Sequence, residues 1–152
     1  MKILNLREEP EHLDQLAEWH HREWSYLNPK GSIEKRKKKM LSYLSEGLVP
    51  STFIAKEGDT LLGSAAIVES DMDTHPEYSP WLASVYVAPE SRCGGVGTAL
   101  VKHVMQQAAQ NGVKKLFLFT PSKEDFYKSI GWKRESTEMY RGVLVTVMSV
   151  EL

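Results

Sequence analysis

The sequence predicts a mixed α/β domain, and three observations carry that prediction. The stretch from Trp81 to Gly112 reads as a strand, a glycine-rich turn and an amphipathic helix in immediate succession. A nearly all-apolar run, Leu116-Phe117-Leu118-Phe119, follows that helix as an inner strand would, and such a strand-helix-strand crossover requires parallel pairing. Short apolar runs on either side complete the order β-α-α-β-β-β-α-β-α-β-β, one domain over residues 1–152.

Taken in order, Lys2 to Leu6 is a short strand that ends at Arg7-Glu8-Glu9-Pro10. Proline lacks the N–H that a helix start leaves unpaired, and Glu9 and Glu11 complement the positive end of a helix dipole, so a helix begins here. Leu13, Leu16, Ala17 and His20 recur at i, i+3, i+4 and i+7 and form its core face. The adjacent His20 and His21 point about 100° apart on a helix and do not share a metal ion. Asn28-Pro29-Lys30-Gly31 is a loop, after which Ser32 caps a second helix expected to run to about Ser45. Ile33, Lys37, Met40, Leu41 and Leu44 make its narrow inward stripe, and Lys35-Arg36-Lys37-Lys38-Lys39 surrounds its first half with charge. That run reads as a solvated face, as a lip that attracts an acidic acceptor, or as a nucleic-acid contact.

Thr52 to Ala55 and Leu61 to Val68 are two strands joined by a turn containing Gly58-Asp59. The irregular stretch from Glu69 to Pro80 holds Asp71, Asp73 and His75 and is the place to look for a base. The strand Trp81 to Val87 then alternates, with Trp81, Ala83, Val85 and Val87 on one face and Leu82, Ser84 and Tyr86 on the other. Pro89 stops it.

Arg92-Cys93-Gly94-Gly95-Val96-Gly97-Thr98 carries three glycines in four residues, so bare backbone N–H groups can approach a ligand closely. From Val96, the residues Val96, Leu100, Val104 and Ala108 recur every fourth position until Asn111-Gly112 ends the helix. A helix start carries roughly half a positive charge and four unpaired N–H groups, which suits a phosphate, and Arg92 adds a formal charge. A P-loop would need Gly-Lys-Ser/Thr, but Gly97 precedes Thr98-Ala99; a dinucleotide fold would need G-x-G-x-x-G and a later acid, and neither is present. An anion site and a tight turn with no ligand both remain. Downstream, Asp125 to Ile130 is a short helix closed by Gly131, and two strands joined near Arg141-Gly142 end the chain.

With 152 residues, 41% apolar, 26% charged and a net charge of −1, the chain is ordinary globular material with no general pull toward nucleic acid. No apolar run is long enough to cross a membrane and no signal peptide is visible, so the expected compartment is the cytoplasm. The single cysteine, Cys93, excludes an internal disulfide and a cysteine-based zinc site. It sits at a helix start beside Arg92, but no histidine lies near it in sequence to make a catalytic pair.

Val87-Ala88-Pro89-Glu90-Ser91-Arg92-Cys93-Gly94-Gly95-Val96-Gly97-Thr98-Ala99-Leu100 resembles the acetyl-CoA signature of the GCN5-related N-acetyltransferases (GNAT). Phe126-Tyr127-Lys128-Ser129-Ile130-Gly131-Trp132 resembles the second family signature, so the likeness spans at least Trp81 to Trp132. Two positions depart: Cys93 stands where glycine is usual, and Gly94 where lysine or arginine is usual. The resemblance implies a mostly antiparallel central sheet with one splayed parallel strand pair, flanked by helices. It further implies acetyl-CoA as cosubstrate, no metal, and an amine acceptor that is a small molecule or a protein amine. No membrane or nucleic-acid partner is implied, and a homodimer is left open.

Carried over by position, the resemblance gives Val85, Val87, Arg92, Cys93, Gly94, Gly95, Val96, Gly97 and Thr98 to the coenzyme, most through backbone N–H groups. Val87 N–H is the expected oxyanion donor, and Tyr127 the general acid for the departing thiolate. Relatives often place a Glu or His near the start of the signature strand, where this chain has Trp81 and Ala83. The expected base therefore acts through water from Asp71, Asp73 or His75, unless there is no dedicated base. The rival functions are a noncatalytic acyl-CoA-binding or sensing domain and an interaction module built on Lys35 to Lys39.

Overall fold

The computed structural model describes residues 1–152. The strands are β1 (Lys2–Asn5), β2 (Ser51–Glu57), β3 (Thr60–Val68), β4 (Trp81–Val87), β5 (Lys115–Thr120), β6 (Lys133–Tyr140) and β7 (Val143–Glu151). The helices are α1 (Leu13–Trp24), α2 (Ile33–Leu41), α3 (Val96–Gln110) and α4 (Glu124–Ser129). All seven strands form one sheet in the order β1-β2-β3-β4-β5-β7-β6, and β4 with β5 is the parallel pair among antiparallel neighbours. The expected mixed α/β order and mostly antiparallel sheet are both present.

Local chemistry sets several boundaries. Ser32 Oγ accepts the Lys35 amide at the start of α2, as expected of a cap. That helix ends at Leu41, one turn short of Ser45. The amides of Tyr43 and Leu44 turn back onto Met40 and Leu41 instead, so Tyr43 packs beside the Trp81 cluster while Leu41 stays exposed. At the end of α3, Val113 N bonds Ala108 O and Gly112 N bonds Ala109 O, a closure that uses the left-handed Gly112. Arg141 and Gly142, both at positive φ, make the two-residue β6–β7 turn.

The sheet buries both faces. α3 covers one, where Leu100, Val101 and Val104 meet Ala65, Ile67, Leu82 and Leu116. On the other, α1 packs Leu13, Leu16 and Ala17 with Met40 of α2 against Leu4 and Ile54. A separate cluster round Trp81, Phe117 and Val147 fills the far half of this second face. A cavity is lined from both halves of that face.

β4 departs from simple alternation. Ala66 pairs with Ala83 and Ser64 with Tyr86, so Ala65 stands opposite both Ser84 and Val85, and Ser84 takes φ +53. This bulge inserts one residue and turns the rest of the strand over. Trp81 and Ala83 keep to the Trp81 cluster, while Val85 and Val87 pack on the α3 side, not on the shared face that alternation predicts.

Candidate active site

β4 and β5 touch at a single register position, Trp81 opposite Phe117, where Phe117 N donates to Pro80 O at 3.1 Å. Beyond it no backbone pairing joins them, and Leu82 to Val85 and Leu118 to Thr120 contribute opposite walls of a cavity of about 540 Å³. Ala88 N bonds Leu62 O, which turns Ala88 toward β3. Successive residues of a strand present their backbone groups to alternate edges, so Val87 and, two residues back, Val85 direct their N–H groups toward the open side. Gly63 allows β3 to come this close, because a Cβ there would lie 2.3 Å from Tyr86 O.

A buried polar network stands behind the bulge. Arg36 Nη2 donates to His20 Nδ1 at 2.8 Å and to Ser84 Oγ at 2.7 Å. With Nδ1 accepting, the ring proton lies on Nε2, which donates to Ser64 Oγ at 2.8 Å, and Ser64 Oγ donates to Ser84 O at 3.1 Å. Within this network only Arg36 Nε is buried and without a partner. Burial, and then the Arg36 charge, hold His20 well below its ordinary pKa, so the ring is neutral. Sequence reading placed His20 on a core face and missed the rest; the available signal was a set of polar side chains at buried positions, which need partners.

The glycine turn lies beyond the end of β4. Arg92 Nε donates to Val87 O at 2.9 Å, and its guanidinium lies 5.7 Å from the Tyr86 ring centroid. Cys93 (φ +66) and Gly95 (φ +84) are both left-handed, which is why glycine suits the first position and leads at the second. No side chain caps α3, and Arg92 to Gly95 just before it are exposed, so the first-turn amides are unclaimed by a capping side chain. These features fit the pyrophosphate of coenzyme A. Gly97 packs the helix start closely, since a Cβ there would meet Phe126 Cζ at 3.4 Å and Val87 Cγ2 at 3.5 Å.

Tyr127 lines the cavity from α4 and is 8% exposed, with Phe126 and Trp132 edge-on to it. Burial pushes its phenol pKa up, so it is a standing proton donor. Asp71 and Asp73 also line the cavity. Half-buried Asp71 is raised to about 6 by desolvation, against the pull of Lys39, Arg36 and Arg141. Asp73 is exposed, 3.8 Å from Arg141 Nη2. His75 lies outside the lining: Nδ1 meets Glu77 at 3.0 Å, Nε2 meets Glu138 at 2.7 Å, and the ring stacks on Tyr78. The cavity thus gathers Tyr127, Asp71, Asp73 and Val85 and leaves His75 and the coenzyme loop apart.

The basic run divides. Arg36 turns inward to the network, Lys35 and Lys39 reach the cavity, and Lys37 meets Asp14 at 3.5 Å on the outer side.

Residues 13–132 match the model of the Acetyltransferase (GNAT) family. The chain belongs to this family, the acetyl-CoA-dependent N-acetyltransferases that its two signatures resemble. No curated protein matches it in sequence. Among solved structures, a ribosomal-protein-alanine N-acetyltransferase from Brucella melitensis is 17% identical with a TM-score of 0.76, covering 100% of each chain. An aminoglycoside 6'-acetyltransferase type Ii is 18% identical with a TM-score of 0.76, covering 99% of this chain and 97% of its own. An aminoglycoside 6'-N-acetyltransferase complexed with coenzyme A is 16% identical with a TM-score of 0.75 and the same coverage. At these identities the likeness is one of fold. No helix of the chain is long and apolar enough to cross a membrane.

Proposed function

We propose that residues 1–152 act as one domain that transfers the acetyl group of acetyl-CoA directly to a primary amine. The single observation that carries this reading is the opening of β4 from β5 beside an uncapped helix start, with Tyr127 in the cavity wall. Bound acetyl-CoA supplies the thioester whose carbonyl carbon exchanges sulfur for the acceptor nitrogen.

The protein's own groups meet the remaining needs. The N–H groups of Val85 and Val87, turned to the open edge, stabilise negative charge on the carbonyl oxygen, Val87 being the assigned donor. Asp71, the cavity carboxylate with a pKa raised to about 6, takes the ammonium proton through water, since a base poised nearer neutrality accepts it with a smaller free-energy gap. Tyr127 gives its proton to the thiolate. Its raised pKa does not forbid this, because the same burial raises the pKa of a thiol beside it. The amides and side chains from Arg92 to Thr98 hold the pyrophosphate. We place the reaction in the cytoplasm, in keeping with the free, exposed thiol of Cys93.

The test combines calorimetric binding of acetyl-CoA with mass-spectrometric detection of acetylated amines, for wild type and Tyr127→Phe. The expected result is that both bind and that transfer falls about 10²-fold or more in the variant. Binding with no transfer by wild type to any amine would instead indicate the noncatalytic acyl-CoA-binding domain.

A further inference from the structure

We infer that the acceptor is an amine that also carries an anionic group, a carboxylate or a phosphate, held among Arg36, Lys39 and Arg141. This rests on the transferase reading above and deepens it.

The charge of the cavity carries the inference. The whole chain has a net charge of −1, yet the cavity lining includes Lys35, Arg36, Lys39, Lys123 and Arg141 against the carboxylates of Glu23, Asp71 and Asp73. The excess of cations is local to the place where an acceptor must enter, and low-dielectric walls strengthen such a field.

Three of these cations converge. Arg36, Lys39 and Arg141 line the same cavity as Asp71, and each charge pulls on that carboxylate through space. They are not consumed by it: the ion pair in the group is the 3.8 Å approach of Arg141 to exposed Asp73. Arg36 Nε is buried without any hydrogen-bond partner, though an unpaired buried N–H is costly. Arg141 is anchored by Nη1 on Leu27 O and Asn28 Oδ1, which fixes its guanidinium at the cavity wall. An anionic group would pair these donors, while the amine beside it loses its proton to Asp71.

Size and sign narrow the class. A volume of about 540 Å³ suits a small molecule or a short terminal segment. A polycation would set like charges against Arg36, Lys39 and Arg141, so the shared fold with aminoglycoside acetyltransferases does not extend to a shared acceptor.

The experiment measures kcat/KM with four amines: phosphoethanolamine, β-alanine, ethanolamine and spermidine. Acetylated products are quantified by mass spectrometry, and acetyl-CoA binding is followed separately by calorimetry. The two anion-bearing amines are expected to exceed ethanolamine and spermidine by about tenfold or more, with an advantage that shrinks as salt rises. Lys39 is exposed on α2, so Lys39→Glu keeps the fold, and it is expected to bring the ratio close to one. A preference for spermidine or ethanolamine overturns the inference and leaves the transferase standing. Acetylation of none of the four by protein that binds acetyl-CoA overturns the inference, and absence of transfer to any amine in the wider search overturns the transferase reading as well.

Discussion

Arg36 Nη2 lies 2.7 Å from Ser84 Oγ and 2.8 Å from His20 Nδ1, so one guanidinium ties α1 and α2 to the residue at which β4 turns over. The bulge turns over the strand that carries the Val85 and Val87 amides, and the network holds the bulge. Its members, His20, Arg36, Ser64 and Ser84, come from four elements, α1, α2, β3 and β4, which explains why no local motif contains them.

Removing His20 therefore weakens catalysis more than coenzyme binding. In His20→Ala, Arg36 and Ser64 lose their shared partner in a buried setting, at a cost of about 1–3 kcal/mol in urea unfolding. Freed from its tether, the Ser84 bulge shifts the amides of Val85 and Val87, and kcat falls about tenfold to a hundredfold. The Arg92 to Thr98 turn is untouched, so calorimetric affinity for CoA stays within about threefold.

Gly63→Ala tests how closely β3 and β4 must approach. A Cβ at that position would sit 2.3 Å from Tyr86 O and 3.2 Å from Val87 Cα, both backbone atoms that cannot swing aside. The expected loss is about 1–3 kcal/mol, the range for overpacking, with lower kcat because β4 moves. Unchanged thermal unfolding would show that the two strands can separate without penalty.

Asp71 predicts opposite pH trends for rate and stability. As a base it must be ionised, so kcat/KM climbs as pH rises through about 6, and Asp71→Asn loses that limb along with most of the rate. Its folded pKa lies above the ordinary value of 3.8, so between about 4 and 6 the folded state binds more protons than the unfolded chain. The Asp71 contribution to stability is thus favourable in acid and falls as pH rises through that window. Asp71→Asn is expected to be more stable than wild type at pH 7.5, by about 1–3 kcal/mol, and to lose that advantage near pH 4.

His75 is expected to act on stability alone. Hydrogen bonds to Glu77 first, and to Glu138, raise its pKa, so the loop from Ser70 to Pro80 is clamped to β6 by a charged ring. That contribution is full below the unfolded histidine pKa near 6.5 and is lost as pH rises through the higher folded value. His75→Ala should lower the unfolding temperature at pH 6 more than at pH 9, with kcat/KM held within about twofold, a split that separates it from Asp71.

Much of this fold is legible locally. Ser32, Gly58, Gly112 and the Val96 to Ala108 repeat mark helix and strand ends by nearest-neighbour chemistry, and the strand-helix-strand unit follows from them. The bulge is not local. Its signal is the pairing of Ala65 with two residues of β4, and without the partner strand Val85 and Val87 read as facing the same way as Trp81. The basic run illustrates the same limit. Lys35 to Lys39 is one block of charge in sequence, but helical periodicity and the packing of α2 on α1 send Arg36 inward, Lys39 to the cavity and Lys37 to Asp14. Arg141 joins them only because the β6–β7 turn folds back beside Leu27.

The coenzyme turn itself is tested by Gly97→Trp. Gly97 lies in the first turn of α3 with Phe126 and Val87 within ordinary contact of a single Cβ, so an indole cannot be housed on the protein side and must extend over the loop amides. In calorimetry, wild type is expected to bind acetyl-CoA and the variant to lose about a hundredfold in affinity or more, provided circular dichroism shows the sheet intact. Comparable binding by a folded Gly97→Trp would detach the coenzyme from this helix start and leave the glycines as a tight strand-to-helix turn. Loss of binding alone, with the wild-type fold and melting curve retained, ties the pyrophosphate to the uncapped amides of α3.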